Sequence, residues 1–140
     1  MAEVKIIDID GVQWPMKDET ARNKIAALET EIANLKTVEK WETTIPNYGG
    51  KIIARRQGNI VNIVGSDIGR VNKIPSNIGD INFATLPERF RPPEACFFMI
   101  RVSGKYVTQY GAMVYPNGEI NCWTYTDIDY GYFSLSYIVD

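Results

Sequence analysis

The spacing of hydrophobic residues along the chain changes once, near residue 37. Between Met16 and Thr37 there is no glycine or proline, and alanine, glutamate, lysine and leucine are frequent. The apolar residues in this segment recur every three or four positions, as they do on one face of an α-helix. The pattern predicts a helix over residues 16–37. Trp14 should be extended before Pro15, and Pro15 suits the first helical turn.

The apolar positions of the predicted helix form a coiled-coil seam. Its members are Ala21, Ile25, Leu28, Ile32 and Leu35. Isoleucine takes heptad position a and leucine position d. In a parallel assembly Lys24 would face Glu29 of a neighbouring chain. Glu31 would likewise face Lys36, and both pairs are attractive. The seam therefore predicts self-association, and the alternative is an amphipathic helix lying on its own domain.

From Val38 onwards the chain consists of short runs of β-forming residues separated by turns. The runs cover residues 41–45, 51–56, 59–64, 68–72, 81–84, 95–102, 106–115, 119–125 and 132–139. The clearest turn signals lie at residues 48–50, 57–59, 103–105 and 116–118, and the last of these contains Asn117-Gly118. Strands at this spacing without intervening helices predict an antiparallel β-sandwich. Its last strand should place Phe133, Leu135, Tyr137 and Val139 on one buried face.

Three segments follow from these patterns. Residues 1–14 alternate in part like a strand around an Asp10-Gly11 turn signal, and we expect an attachment segment there. Residues 15–37 form the predicted stem helix, and residues 38–140 form the predicted head domain. Two heptads are too few to hold a bundle together, so the head must also take part in association.

Composition and charge narrow the function classes. The net charge is −2 and the chain contains no cluster of basic residues of the kind with which proteins bind nucleic acid. Histidine is absent, which excludes Ser-His-Asp and Cys-His nucleophile systems and nearly every zinc site. No apolar run is long enough to cross a membrane, and the N-terminus lacks the features of a signal peptide. We expect cytoplasmic synthesis without a cleaved leader, no cofactor and two buried free thiols, Cys96 and Cys122.

Several motifs together resemble a known family. The stretch "GVQWPMKDETARNKIAALETEI" is similar to the Trp-Pro-initiated helix near the N-termini of tail and baseplate proteins of phages that infect Gram-positive bacteria. The stretches "ATLPERFRPPEACFF", "VYPNGEINCW" and "YFSLSYIVD" resemble the C-terminal head domains of phage tail fibres and receptor-binding proteins. The likeness covers residues 10–37 and 83–140. It implies a homotrimer with a parallel three-helix stem and three β-sandwich heads, which binds cell-surface saccharide from the virion's tail tip.

The residues of the seam give two indications of the oligomeric state. Isoleucine at a with leucine at d favours dimers, whereas Lys24-Ile25-x-x-Leu28-Glu29 resembles a trimer-favouring pattern. We expect the trimer, because a large head interface outweighs two heptads.

The prolines of residues 86–93 exclude a central strand there. That segment should cross the sandwich end in an extended conformation, with Phe90 filling a gap and Arg89 or Arg91 at a surface or subunit contact.

The strongest ligand-binding signal lies near the end of the chain. Saccharide sites combine an aromatic face with carboxylate, amide or arginine groups. The residues that best match this chemistry are Trp123, Tyr125, Asp127, Asp129 and Tyr130. The alternative is that Trp123 belongs to the core and the following loop is a solvated turn. Tyr106 and Tyr110 are other aromatic candidates. Asp127-x-Asp129 could also bind a cation, but it lacks the rest of a calcium loop.

Three functions therefore compete. The first is non-catalytic binding of host saccharide by a phage tail protein, attached to other tail proteins through its N-terminal segment. The second is a purely structural trimeric baseplate component that contacts only virion proteins. The third is a small glycan depolymerase, which needs two carboxylates about 5 to 9.5 Å apart. Its candidate carboxylates are Glu88, Glu94, Glu119, Asp127 and Asp129. No spacing in the sequence selects a pair, so we do not expect an enzyme.

Overall fold

A computed structural model describes residues 5–9, 12–16, 19–76, 78–102, 110–124 and 127–140. The chain divides into two compact units, Met1–Thr37 and Val38–Asp140. It is mainly β, with 48% of its residues in strands, and its described residues contain one α-helix, near the N-terminus. The predicted turn at residues 103–105 lies outside the described residues, as do Tyr106 and Tyr125.

The N-terminal unit contains a β-hairpin and the helix. Strands β1 (Lys5–Ile9) and β2 (Val12–Met16) pair in antiparallel fashion, with Ile9 opposite Val12. The Asp10-Gly11 dipeptide between them lies outside the described residues. Helix α1 spans Glu19–Lys36, with an acidic residue in its first turn and a basic residue in its last, as the helix dipole favours.

The predicted start of the helix is wrong. Met16 and Pro15 belong to β2, and α1 begins at Glu19. Proline is tolerated in a two-stranded sheet because alternate amides of each strand point away from the partner and need no ladder bond. The preference of proline for a first helical turn therefore did not decide its conformation.

The C-terminal unit contains two antiparallel sheets. The five-stranded sheet has the order β3 (Val38–Thr44), β4 (Lys51–Gln57), β5 (Ile60–Ile68), β11 (Gly131–Ile138) and β8 (Arg101–Val102). The four-stranded sheet has the order β6 (Ile81–Thr85), β10 (Glu119–Thr124), β9 (Tyr110–Val114) and β7 (Cys96–Phe98). Within these sheets neighbouring strands pair in antiparallel fashion.

Two predicted strands differ from the structure. Residues 68–72 do not form a strand, since β5 ends at Ile68 and the chain turns at Gly69, whose φ is +83°. The apolar run at residues 95–102 contains two short strands in different sheets, β7 and β8. The chain crosses between the sheets at Met99 and Ile100. A continuous apolar run does not reveal such a crossing, because both strands supply buried residues.

Side chains from both sheets belong to one hydrophobic cluster. The rings of Phe98 in β7 and Phe133 in β11 lie 4.4 Å apart between centroids and link the two sheets directly. Gly65 in β5 makes room for Phe133, because a Cβ atom at Gly65 would lie 2.1 Å from that ring. The end of the chain is part of this core: Val139, directly after β11, is buried, and its amide donates a hydrogen bond to the Asn59 carbonyl at 2.7 Å.

The proline-rich motif folds as a turn and not as the fully extended segment expected. Residues Glu88–Phe90 form one 3₁₀ turn, closed by the Phe90 amide donating to the Pro87 carbonyl at 2.9 Å. Phe90 is buried, as expected. Arg89 forms a two-bond ion pair with Glu39 of β3, at 2.7 and 2.5 Å. Arg91 donates to the Leu86 carbonyl at 2.9 Å. The two arginines therefore brace the turn.

Candidate functional site

Trp123 lies at the end of β10 on the outer face of the four-stranded sheet. Burial alternates along this strand: Ile120, Cys122 and Thr124 are buried, whereas Glu119, Asn121 and Trp123 are partly exposed. This is the period of two expected for a strand with one face on the core. Trp123 is therefore an outward residue and not a core residue.

The Trp123 ring is held against a glycine and beside a second aromatic ring. Gly111 of β9 lies directly opposite Trp123, and a Cβ atom at Gly111 would lie 2.0 Å from the indole. The ring therefore occupies the space that any other residue's side chain would fill. Phe97 of β7 lies with its ring centroid 6.4 Å from that of Trp123, and 58% of Phe97 is exposed. Two neighbouring rings thus face outwards.

A row of side chains beside Trp123 crosses all four strands of the sheet. Asn121 is paired in register with Met113 on one side and Asn82 on the other, and Met113 is paired with Phe97. The Asn82 amide donates to the Asn121 side-chain oxygen at 2.8 Å, and the Asn121 amide donates to a carboxylate oxygen of Asp80 at 3.5 Å. We call Phe97, Met113, Trp123, Asn121 and Asn82 the Trp123 face. It combines an aromatic half with a hydrogen-bonding half.

Asp127, another predicted site residue, contacts the segment of residues 73–76. Asp127 accepts a hydrogen bond from the Ser76 amide at 2.8 Å and lies 3.8 Å from the Lys73 ammonium. Asp129 and Tyr130 are exposed, and Tyr130 has a φ of +54°. Asp127 thus contacts the 73–76 segment, while Trp123 is positioned by Gly111 and Phe97. A ligand-binding role for Trp123, Tyr125, Asp127, Asp129 and Tyr130 stays a prediction.

Sequence reasoning missed Phe97, Met113, Asn121 and Asn82. Phe97 falls inside the apolar run at residues 95–102, where no alternation marks an outward position. Asn121 could have been found from the alternation of β10, because it lies two residues before Trp123. Asn82 joins it only through the pairing of β6 with β10, which local patterns do not specify.

A shallow groove lies on the outer face of the five-stranded sheet. Its volume is about 360 Å³, and it is lined by Val64, Ser66, Met99, Arg101, Tyr132 and Ser134, among others. The Tyr132 hydroxyl donates to a carboxylate oxygen of Asp67 at 3.0 Å. This hydrogen bond raises the pKa of Tyr132. The groove is within the size range of small-ligand sites, and the rings of Tyr132 and Phe133 both line it, but its surface is mostly apolar.

The predicted oligomerisation residues are open to solvent in the single chain. The exposed fractions are 45% for Ile25, 56% for Leu28, and 50% each for Ile32 and Leu35. Ala21 is partly buried. The flanking charged residues Lys24, Glu29, Glu31 and Lys36 are exposed. No residue of α1 is buried. The seam is therefore available to another chain.

Among the described residues, Glu39 and Glu42 are the carboxylates with clearly shifted pKa values, and basic partners hold both ionised. The hydrogen bond from Arg89 lowers the pKa of Glu39, and the hydrogen bond from Lys40 lowers that of Glu42. A general acid for glycoside hydrolysis needs the opposite shift. Within the described part of the chain, no group of three or more histidine, cysteine, aspartate or glutamate side chains could hold a metal ion.

Comparison with known proteins gives no family. Neither a scan against protein-family models nor a search of curated proteins finds a match to the chain. Among the helical residues that the structure describes, none form a segment long and apolar enough to span a membrane.

Proposed function

We propose that this chain is a non-catalytic saccharide-binding protein of a phage tail tip or baseplate. In this proposal three copies associate through the seam of α1 and display three β-sandwich heads towards the host cell surface. The observation that carries the proposal is the Trp123 face, where two outward aromatic rings lie beside a fixed pair of asparagine side chains.

The chemistry of the Trp123 face suits a sugar ring. The apolar side of a pyranose packs on an aromatic ring, while its hydroxyls need donors and acceptors at the rim. Trp123 and Phe97 supply the rings. Asn121 and Asn82 supply amide groups that bind each other at 2.8 Å and are thereby held in fixed positions. A ligand meeting such preordered groups loses less of its binding free energy to side-chain ordering.

Multivalency supports the same proposal. An open sheet face encloses little of a ligand, so each head is expected to bind weakly. Three heads on one stem would make the second and third binding events intramolecular and would raise overall avidity by about 10² to 10⁴. The exposed seam provides a means of assembling the copies.

The N-terminal hairpin supports attachment to other tail proteins. Strands β1 and β2 pair only with each other among the strands that the structure describes. Each strand therefore has an edge on which a partner strand could add. This feature also suits the second candidate function, a structural baseplate component without a saccharide ligand.

Retention on host cell walls distinguishes the candidate functions. We expect the wild-type protein to be retained without releasing reducing ends, Trp123→Ala to reduce retention at least tenfold, and Tyr132→Ala to bind like wild type. Tyr132 is a matched control because it is an exposed aromatic residue on the other sheet, in β11. Release of reducing ends would indicate a depolymerase. No retention by any host wall would contradict saccharide binding and favour the structural component.

A further inference from the structure

An exposed carboxylate, that of Asp80, lies beside Trp123 at the edge of the four-stranded sheet. In the register of β6 with β10, Ile81 lies opposite Cys122. Asp80 precedes Ile81, so the same register continued by one residue brings Asp80 level with Trp123. Residues at such paired positions have Cβ atoms about 4.5 to 5.5 Å apart. A carboxylate oxygen of Asp80 accepts a hydrogen bond from the outward side chain of Asn121 at 3.5 Å, so Asp80 belongs to the same face of the sheet as the indole.

The hydrogen bonds of the asparagine pair leave mainly acceptors open to a ligand. The Asn82 amide nitrogen donates to the Ala84 carbonyl at 3.3 Å and to the Asn121 side-chain oxygen at 2.8 Å, which uses both of its hydrogens. The Asn121 nitrogen donates in turn to Asp80. The Ala84 carbonyl and the Asp80 carboxylate can only accept, so they fix the direction of both amides. The open acceptors are the Asn82 oxygen and the Asp80 carboxylate, and the open donors are one Asn121 hydrogen and the indole N–H.

The formal charge around the Trp123 face is negative. Along the four strands of this sheet, as their ranges are given above, Glu119 is the one charged residue. Among the residues that the structure describes, no lysine or arginine forms an ion pair with Asp80. Arg91 approaches the sheet at Gly118, which lies about 16 Å along β10 from Trp123. A cationic ligand group would therefore meet a carboxylate without an ion pair, and an anionic group would meet like charge.

We propose that the Trp123 face binds an amino sugar whose ammonium group lies between the Asp80 carboxylate and the indole of Trp123. This inference rests on the proposed function and names the class of saccharide. An ammonium group is attracted to the face of an aromatic ring within about 6 Å. It also carries three donors, which suit the open acceptors of Asp80 and Asn82. The apolar side of the same sugar packs on the rings of Trp123 and Phe97.

The charge of the ligand should set a modest selectivity, because the face is open to solvent. A neutral sugar can make the same ring contacts without the ion pair, whereas a sugar acid is repelled by Asp80. Exposed cation–π contacts and exposed ion pairs are each weak, and together they predict a preference of about three- to thirtyfold for an ammonium over an uncharged group. The preference should fall as added salt screens the charges.

Titration with two matched trisaccharides tests the inference. The trisaccharides of glucosamine and of N-acetylglucosamine differ only in whether their nitrogens are charged or acetylated. Each is added to the full-length ¹⁵N-labelled protein at about pH 6, where primary amines carry a proton. Binding is followed by nuclear magnetic resonance at the Trp123 indole N–H, which is identified by its loss in Trp123→Phe. We expect the glucosamine trisaccharide to bind at least threefold more tightly.

Two variants locate the source of this preference. Asp80→Asn keeps the shape of an exposed side chain and removes its charge, so the two trisaccharides should then bind with affinities within about twofold of each other. Glu119→Gln is the matched control. It removes one negative charge from the same sheet at a position four residues before Trp123, and it should keep the preference of the wild-type protein.

The inference and the proposed function can fail separately. Equal binding of the two trisaccharides, or a preference that survives Asp80→Asn, would overturn the inference and leave saccharide binding in place. A lysine amide that shifts the Trp123 signal as strongly as the glucosamine trisaccharide would overturn the assignment to an amino sugar. If neither trisaccharide binds, the inference fails. If host cell walls also fail to retain the protein, the proposed function fails with it.

Discussion

Replacing Gly111 with alanine should displace the Trp123 ring from the sheet. The new Cβ atom would lie 2.0 Å from the indole, whereas ordinary contact begins at 3.4 Å, so the ring must move by about 1.4 Å or more. The φ of Gly111 is not in the left-handed region, so alanine introduces a steric conflict alone. Overpacking a core costs about 1 to 3 kcal/mol, and the lower end applies here because the ring lies on a partly exposed face and can turn towards solvent. Thermal unfolding should therefore occur roughly 5 °C lower.

A double-mutant cycle isolates this conflict. In the Trp123→Ala background the methyl group of Ala at position 111 has space, so the added substitution should cost almost nothing. The coupling free energy should nearly equal the cost of Gly111→Ala in the wild-type chain. Thermal unfolding followed by circular dichroism measures all four variants. Equal destabilisation in both backgrounds would show that the ring does not lie on Gly111, and the Trp123 face would lose its basis.

Three further predictions concern the head. The folded-state pKa of Glu39 is lowered chiefly by its hydrogen bond with Arg89, so this pairing should stabilise the head at pH values above the ordinary glutamate pKa. The stabilisation should be lost as the pH falls through the lowered pKa, and Arg89→Leu should therefore reduce the loss of stability on acidification. The measurement is Tm against pH, and a profile identical to that of the wild type would contradict the prediction. Deleting residues 137–140 should prevent folding because β11 loses its end and the core loses a buried residue, and a soluble, folded truncated protein would show otherwise. Burial raises the pKa of Cys122 to about 12, so a thiol reagent should modify the partly exposed Cys96 first in the native protein. Peptide mapping identifies the modified cysteine. Equal rates of modification at the two cysteines would contradict the prediction.

The sequence predicted those helices and turns that depend on residues close to one another along the chain. The body of α1 follows from its helical spacing, and the hairpin between β4 and β5 follows from Gly58, which has the positive φ of +59° that a two-residue turn needs at its first position. The 116–118 turn also forms, with the Gly118 amide donating to the Tyr115 carbonyl at 2.8 Å. These features depend on neighbours within a few residues.

Features that depend on strand order could not be predicted. The crossing at Met99 and Ile100 divides an apolar run that has no internal break, and only the sheet assignments of β7 and β8 reveal it. The Trp123 face likewise depends on the order of the strands. Trp123 was predicted as a ligand contact, but its neighbours Phe97 and Asn82 come from strands that join it through long-range pairing. Asp127, predicted in the same site, accepts a hydrogen bond from the Ser76 amide, a long-range contact that sequence proximity does not indicate.

The central claim is that copies of this chain assemble through the exposed seam of α1. Light scattering coupled to size-exclusion chromatography measures the mass of the intact protein directly. We predict a mass close to three times the 15.8 kDa of one chain at micromolar concentration. A mass of one chain under the same conditions would contradict the claim and the multivalent binding built on it.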